Sequence, residues 1–110
     1  MRTFLKSKIH RIVCDYCHVE YDGSISIPIP VMRKYDLLPY EQVHVVDIAN
    51  GHRFVTYVLP SEDEFIEVNG GAARLVVPGD LLTIMSYEIC DKPKLFGQEV
   101  VEYGEYTVIK

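Results

Sequence analysis

No run of apolar residues in this chain approaches the roughly 18 to 20 needed to cross a bilayer as a helix, which excludes a helical membrane protein. Met1–Lys6 is likewise followed by no apolar core of signal-peptide length, so the chain reads as cytoplasmic. Positive charge is also in short supply. Eleven Lys and Arg against sixteen Asp and Glu leave a net charge of −5, which argues against nonspecific contact with nucleic acid or anionic membrane. A local basic cleft for a small anion is still compatible with that balance.

Cysteine is scarce and odd in number. Three thiols in 110 residues do not make a disulfide framework. Cys14-Asp15-Tyr16-Cys17-His18 does spell C-x-x-C-H, the attachment pattern of c-type haem. That chemistry requires export, and the motif lies between the β-prone runs Ile12-Val13 and Val19 with Tyr21 instead of opening onto a helix. No second C-x-x-C completes a zinc site, and Cys90 is remote in sequence. The leading reading is of cysteines in or beside a strand, with a thiol redox or metal pair, and then haem, as alternatives. Repeats, low-complexity tracts and linkers are absent too, so residues 1–110 read as one domain. With 48% hydrophobic and 25% charged residues, it is large enough to bury a single core.

What is present is β-forming. Val, Ile and Tyr dominate, glycine and proline punctuate, and short apolar runs recur at strand spacing. Strands are predicted over Lys8–Val13, Ser24–Pro28, Gln42–Asn50, His52–Leu59, Leu81–Glu88 and Val100–Val108, with a short one at Glu67–Val68. Asn50-Gly51 between two of these is a hairpin signal, because both residues tolerate positive φ. Val31–Leu38 suits one or two helical turns, ended by Pro39. Asn69–Ala73 is too small and flexible for a strand interior and reads as a loop or short helix. Many short strands in this length predict a small barrel or sandwich.

Tyr21-Asp22-Gly23-Ser24 carries the most chemistry. Gly23 is free to adopt strained or positive-φ geometry, and the Ser24 hydroxyl lies one short swing from the preceding carbonyl carbon. Attack there is an N→O acyl shift. Elimination of the resulting ester, with loss of ammonia, would leave a pyruvoyl group at position 24 and cut the chain after Gly23.

Five blocks occur in register over roughly residues 1 to 90: Lys8-Ile9-His10-Arg11, Tyr21-Asp22-Gly23-Ser24, Asn50–Tyr57, Val68–Ala73 and Gly79-Asp80. In that order and spacing they closely resemble the pyruvoyl-dependent aspartate decarboxylase family. The resemblance implies a mainly β, small double-psi β-barrel with short helices, assembled as a homotetramer with active sites between subunits. It implies conversion of L-aspartate to β-alanine and carbon dioxide for pantothenate synthesis. A covalent pyruvoyl group made from Ser24 would be the only cofactor, with no metal.

The residues suit those roles. Decarboxylating an α-amino acid leaves electron density on Cα, which requires a conjugated acceptor; Ser24 would become the Schiff-base residue. Arg53, with its planar fork, matches the family's clamp on the carboxylate that is retained, and Lys8 is the second cation. Tyr57, a phenol that holds its proton at neutral pH, matches the donor that protonates Cα. Thr56 cannot share a strand face with Tyr57, and the family uses its threonine in self-processing and at the substrate site. Asn69, Gly70, Gly71 and Ala72 match the loop that lines the pocket. His10 resembles a residue that assists processing or orients the pocket, and Tyr21 helps hold the cleavage turn.

Gly71 departs from the family's more usual alanine, Ile27-Pro28-Ile29-Pro30 from an acidic stretch, and residues 91–110 match poorly. A competing reading is a catalytically silent barrel that binds a small anion or a protein, with Arg53 as its recognition residue.

Overall fold

The computed structural model describes residues 1–103 and 106–109 and is mainly β. The strands are β1 (Arg2–Val13), β2 (Tyr16–His18), β3 (Ser24–Pro28), β4 (Gln42–Asp47), β5 (Arg53–Ser61), β6 (Glu67–Asn69), β7 (Leu81–Cys90), β8 (Val100–Tyr103) and β9 (Tyr106–Ile109). A short helix, α1 (Ile29–Lys34), follows β3, and a 3₁₀ helix spans Gly70–Leu75. Among the described residues no helix is long and apolar enough to cross a membrane.

Seven strands form one sheet in the order β1-β7-β4-β5-β3-β6-β2. Its two ends belong to the same stretch of chain, since only Cys14 and Asp15 separate β1 from β2. A sheet whose outer strands are continuous must curl round on itself, and the result is the small barrel expected. The junction is tied on both sides. Cys14 N–H donates to the Asp80 carbonyl at 2.9 Å, and Gly79 N–H to the Cys14 carbonyl at 2.7 Å. Asp15 N–H donates to the Ile66 carbonyl at 2.9 Å, and Ile66 N–H returns to Asp15 Oδ2 at 2.8 Å.

Alternation along the central strands decides what faces inward. Val43 and Val45 of β4, Val58 of β5, and Leu82 and Ile84 of β7 are buried in the core with Ile25 and Ile27 of β3. Gln42 and His44 of β4 point out. The strand predicted over Gln42–Asn50 stops at Asp47 for a specific reason. The buried Asp47 carboxylate accepts the Ala49 N–H at 2.9 Å and turns the chain, and Gly51, at φ +77°, donates back to the Asp47 carbonyl at 2.8 Å. The hairpin thus runs through Ile48–Gly51.

The helix predicted over Val31–Leu38 lies instead at Ile29–Lys34, because Pro30 presets helical φ near its start. Asp36, at φ +54°, ends it before Pro39 is reached. The strand predicted over Val100–Val108 is two antiparallel strands, β8 and β9; Gly104 and Glu105 lie outside the described residues. Near the other end, β1 places Lys6 inside, where Nζ meets Glu41 Oε2 at 2.6 Å, so this buried ammonium is paired.

Leu82→Ala removes a fully buried side chain from the strand that lies between β1 and β4. It is expected to cost about 2–5 kcal/mol, read as a lower urea midpoint with an unchanged slope.

Candidate active site

Ser24 opens β3 and is fully buried, unlike the exposed Asp22 and Gly23 just before it. Two neighbours hold its hydroxyl. Ser24 Oγ donates to the Asp22 carbonyl at 3.2 Å and accepts from Asn69 Nδ2 at 3.0 Å. Asn69 reaches it because β6 runs antiparallel beside β3 with Asn69 directly opposite Ser24. The same Nδ2 approaches Ser26 Oγ at 3.3 Å, while Asn69 Oδ1 is buried with no partner among the described residues. A buried carbonyl left empty costs on the order of 1–3 kcal/mol, so Asn69 Oδ1 is an acceptor open to a further donor.

The glycines divide differently from the sequence expectation. Gly23 does not have positive φ, and a Cβ there would meet nothing within 4 Å. The constrained residue is Gly70, at φ +73°, where an added Cβ would lie 2.5 Å from Gly23 Cα and 3.1 Å from the Tyr21 carbonyl oxygen. Gly70 is therefore pressed against the backbone of the turn that contains the Gly23–Ser24 peptide. Tyr21 joins it through that carbonyl, with its exposed ring against His18 at a centroid distance of 5.0 Å. Gly71 is exposed with open space at its Cβ position, and Ala72 packs against the core.

On the other side of β3 lies β5, parallel, with Ile25 beside Val58. Ser24 is one residue earlier and so stands level with Tyr57. Tyr57 is half-buried and tilts against Tyr40 at 6.2 Å. Thr56 pairs with the buried Val43 on the opposite face, which is the separation expected of successive strand residues.

The cations form a second group. Lys8, His10, Arg53, Val46, Thr83 and Met85 line a shallow cavity of about 180 Å³ on the outer face of β1, β7, β4 and β5. His10 Nδ1 lies 3.3 Å from Thr83 Oγ1, and no carboxylate among the described residues pairs with Arg53 or Lys8. Two unpaired cations in an acidic protein make a site for an anion. Another cavity, of about 450 Å³, contains none of the expected residues; Glu41 and Glu88 line it and would repel a dicarboxylate.

Within one chain the two groups are linked by β5. Arg53 and Tyr57 share a face of β5 but are four residues apart, roughly 13 Å at 3.3 Å per residue. Sequence reasoning missed Ser26 and Thr83. The signals were available: Ser26 repeats Ser24 at the strand period of two, and Thr83 is a polar residue inside the apolar run Leu81–Ile84.

Gly70→Ala is expected to cost at least 1–2 kcal/mol from its left-handed backbone alone and to disturb the Ser24 turn. Gly71→Ala, unhindered, is expected to be neutral or to stabilise by up to about 1 kcal/mol. Denaturant midpoints of the two variants check the opposite signs.

A family model described as aspartate decarboxylase matches residues 1–109. The match runs through the C-terminal stretch that by eye resembles the family poorly. The chain is 47% identical to an aspartate 1-decarboxylase of Acetivibrio thermocellus, over 97% of this chain and 88% of that protein. It is 49% identical to one of Syntrophus aciditrophicus, over 87% and 84% of the two chains. One from Synechocystis sp. is 41% identical, over 96% of this chain and 70% of its own length.

Proposed function

Because the chain belongs to the aspartate decarboxylase family, we propose that it converts L-aspartate to β-alanine and carbon dioxide through a pyruvoyl group made from its own Ser24. β-Alanine is the building block this supplies for pantothenate. The observation that carries the reading is the buried Ser24 hydroxyl, gripped by Asn69 and set beside a turn that Gly70 holds.

Rotation of the Ser24 side chain away from the Asp22 carbonyl carries Oγ toward the Gly23 carbonyl carbon. Attack there forms an ester and breaks the Gly23–Ser24 amide, whose nitrogen becomes a free amine. Removal of the Ser24 α-proton expels Gly23 as a carboxylate, and water then releases ammonia. Gly70 limits how far the turn can relax, and Thr56, beside this peptide in register, is the processing residue.

The surroundings fit a pyruvoyl group. It is small and uncharged; Asn69 and the Gly70 backbone stand beside Ser24, Tyr57 lies level with it on β5, and Asn69 Oδ1 has no partner among the described residues and can accept an N–H from the substrate amine. When formed, that group supplies the conjugated carbonyl that accepts the electrons released with carbon dioxide. Arg53 grips the carboxylate that is retained with a bidentate fork, and Lys8 adds a second positive charge. His10 orients the cleft through Thr83. Tyr57 delivers the proton to Cα.

The gap between Ser24 and Arg53 gives the assembly its purpose. Aspartate is too short to span it within one chain, so we assign Arg53 and Lys8 to one copy and Ser24 with Asn69 to another. A closed homo-oligomer, a tetramer by family resemblance, brings the two surfaces together.

Intact mass spectrometry of incubated protein is expected to show two chains, residues 1–23 and a pyruvoyl-blocked 24–110; Ser24→Ala is expected to remain whole. A folded wild-type chain that never cleaves would leave only the silent, ligand-binding barrel. Tyr57→Phe is expected to cleave normally and slow decarboxylation by about 10²–10⁴-fold. Arg53→Ala is expected to lower kcat/KM by roughly 10- to 150-fold, the equivalent of 1.5–3 kcal/mol for hydrogen bonds to a charged group. Co-refolded Ser24→Ala and Arg53→Ala chains in equal amounts are expected to recover about a quarter of wild-type activity, since a random oligomer makes intact composite sites at that frequency. Activity no greater than that of the separate variants would place both groups in one chain.

A further inference from the structure

Cys14 and Cys17 lie outside the machinery assigned above, yet the barrel brings them together. Residues three apart on a regular strand point to opposite faces. The bend at Cys14–Asp15 that closes the sheet overrides this and sets the two sulfurs 3.9 Å apart, both as free thiols. Cys14 is completely buried; Cys17 is partly open to solvent. Cys17 also ties down the segment that serves Ser24. Its backbone pairs with Val68 of β6, next to the His18–Asn69 pair, and its thiol donates to the Val76 carbonyl at 3.4 Å, just past the 3₁₀ helix. Asn69 and Gly70 lie between those two attachments.

We propose that Cys14 and Cys17 form a redox-modification site, oxidised by a hydroperoxide to a reversible disulfide that alters the Val68–Val76 segment and thereby the hold on Ser24. Cys17, the more open sulfur, attacks the peroxide; its O–O bond breaks, an alcohol or water leaves, and Cys17 becomes a sulfenic acid. The Cys14 sulfur then attacks the Cys17 sulfur, the S–O bond breaks, and water carries away the hydroxyl with the Cys14 proton. Two thiols lose two electrons in total, and the peroxide gains them. A dithiol reductant reverses the step.

Burial, with Cys17 alongside, pushes the Cys14 thiol up to about 12, and burial together with the Asp80 and Asp47 carboxylates raises Cys17. Thiols held protonated react slowly, so the site answers sustained oxidant exposure. Bond formation draws the sulfurs in to about 2.05 Å and removes the donor from the Val76 carbonyl. The disulfide stands on the sulfur geometry alone. Its effect on activity rests on the pyruvoyl reading.

The test uses full-length Cys90→Ser protein, treated with hydrogen peroxide, unfolded, alkylated with iodoacetamide and weighed. The untreated sample is expected to take two labels and the oxidised one none, two hydrogens lighter, with both labels restored by dithiothreitol. Two labels after peroxide, or a gain of oxygen on Cys14 or Cys17 that dithiothreitol does not reverse, overturns the site. Turnover of aspartate is expected to fall several-fold on oxidation and recover on reduction, with no response in Cys17→Ala. A disulfide that forms with unchanged turnover overturns the control assigned to it. Absence of turnover and cleavage in reduced protein would instead count against the pyruvoyl reading, leaving the label count to decide the disulfide.

Discussion

One stretch of chain, Arg2–His18, supplies both edges of the sheet, and the arrangement of the other strands follows from it. Its first part pairs with β7 and its last part with β6, so the bend at Cys14–Asp15 must be fixed for the barrel to close. Four backbone and side-chain bonds to Asp80, Gly79 and Ile66 fix it. Closure places β6 between β2 and β3. Without that, Asn69 would have no route to Ser24, and the hydroxyl would have no buried donor to hold it.

The turn before Ser24 is held from outside itself. Gly23, just before Ser24, has no positive φ and open space at its Cβ position, whereas Gly70, forty-seven positions later, has both the left-handed backbone and the close approach. Any side chain at Gly70 would displace the turn. Glycine at Gly70 is thus a packing requirement set by two segments that meet only in the folded barrel.

Charge is arranged by the same logic. The acidic chain pairs its buried Lys6 with Glu41, while Arg53 and Lys8, around a shallow basic cavity, have no carboxylate partner among the described residues. Leaving cations unpaired forfeits little at an exposed surface and retains their capacity for a dicarboxylate. Their distance from Ser24 along β5 is what the proposed pairing of copies would close. The sulfur pair at the bend is a further product of barrel closure, since the two residues would point apart on a straight strand.

Much of this was legible before folding. Strand β3 was read to the residue, because Ser24–Pro28 alternates cleanly and proline closes it, and the family itself was legible because its motifs survive as linear blocks. Strand ends were less legible: Asp47 stops β4 by capping Ala49, and a single acidic residue in a valine run does not announce that bond. The sequence by itself determined the chemistry available, a serine after glycine with cations and a phenol at strand spacing, because side-chain identity is local. Only the tertiary structure decided that Gly70 and not Gly23 carries the backbone constraint, that Asn69 faces Ser24, that Arg53 lies apart from both, and that two cysteines meet. Each of these depends on strand order and register, which arise from pairing between distant segments and leave no mark on any one of them.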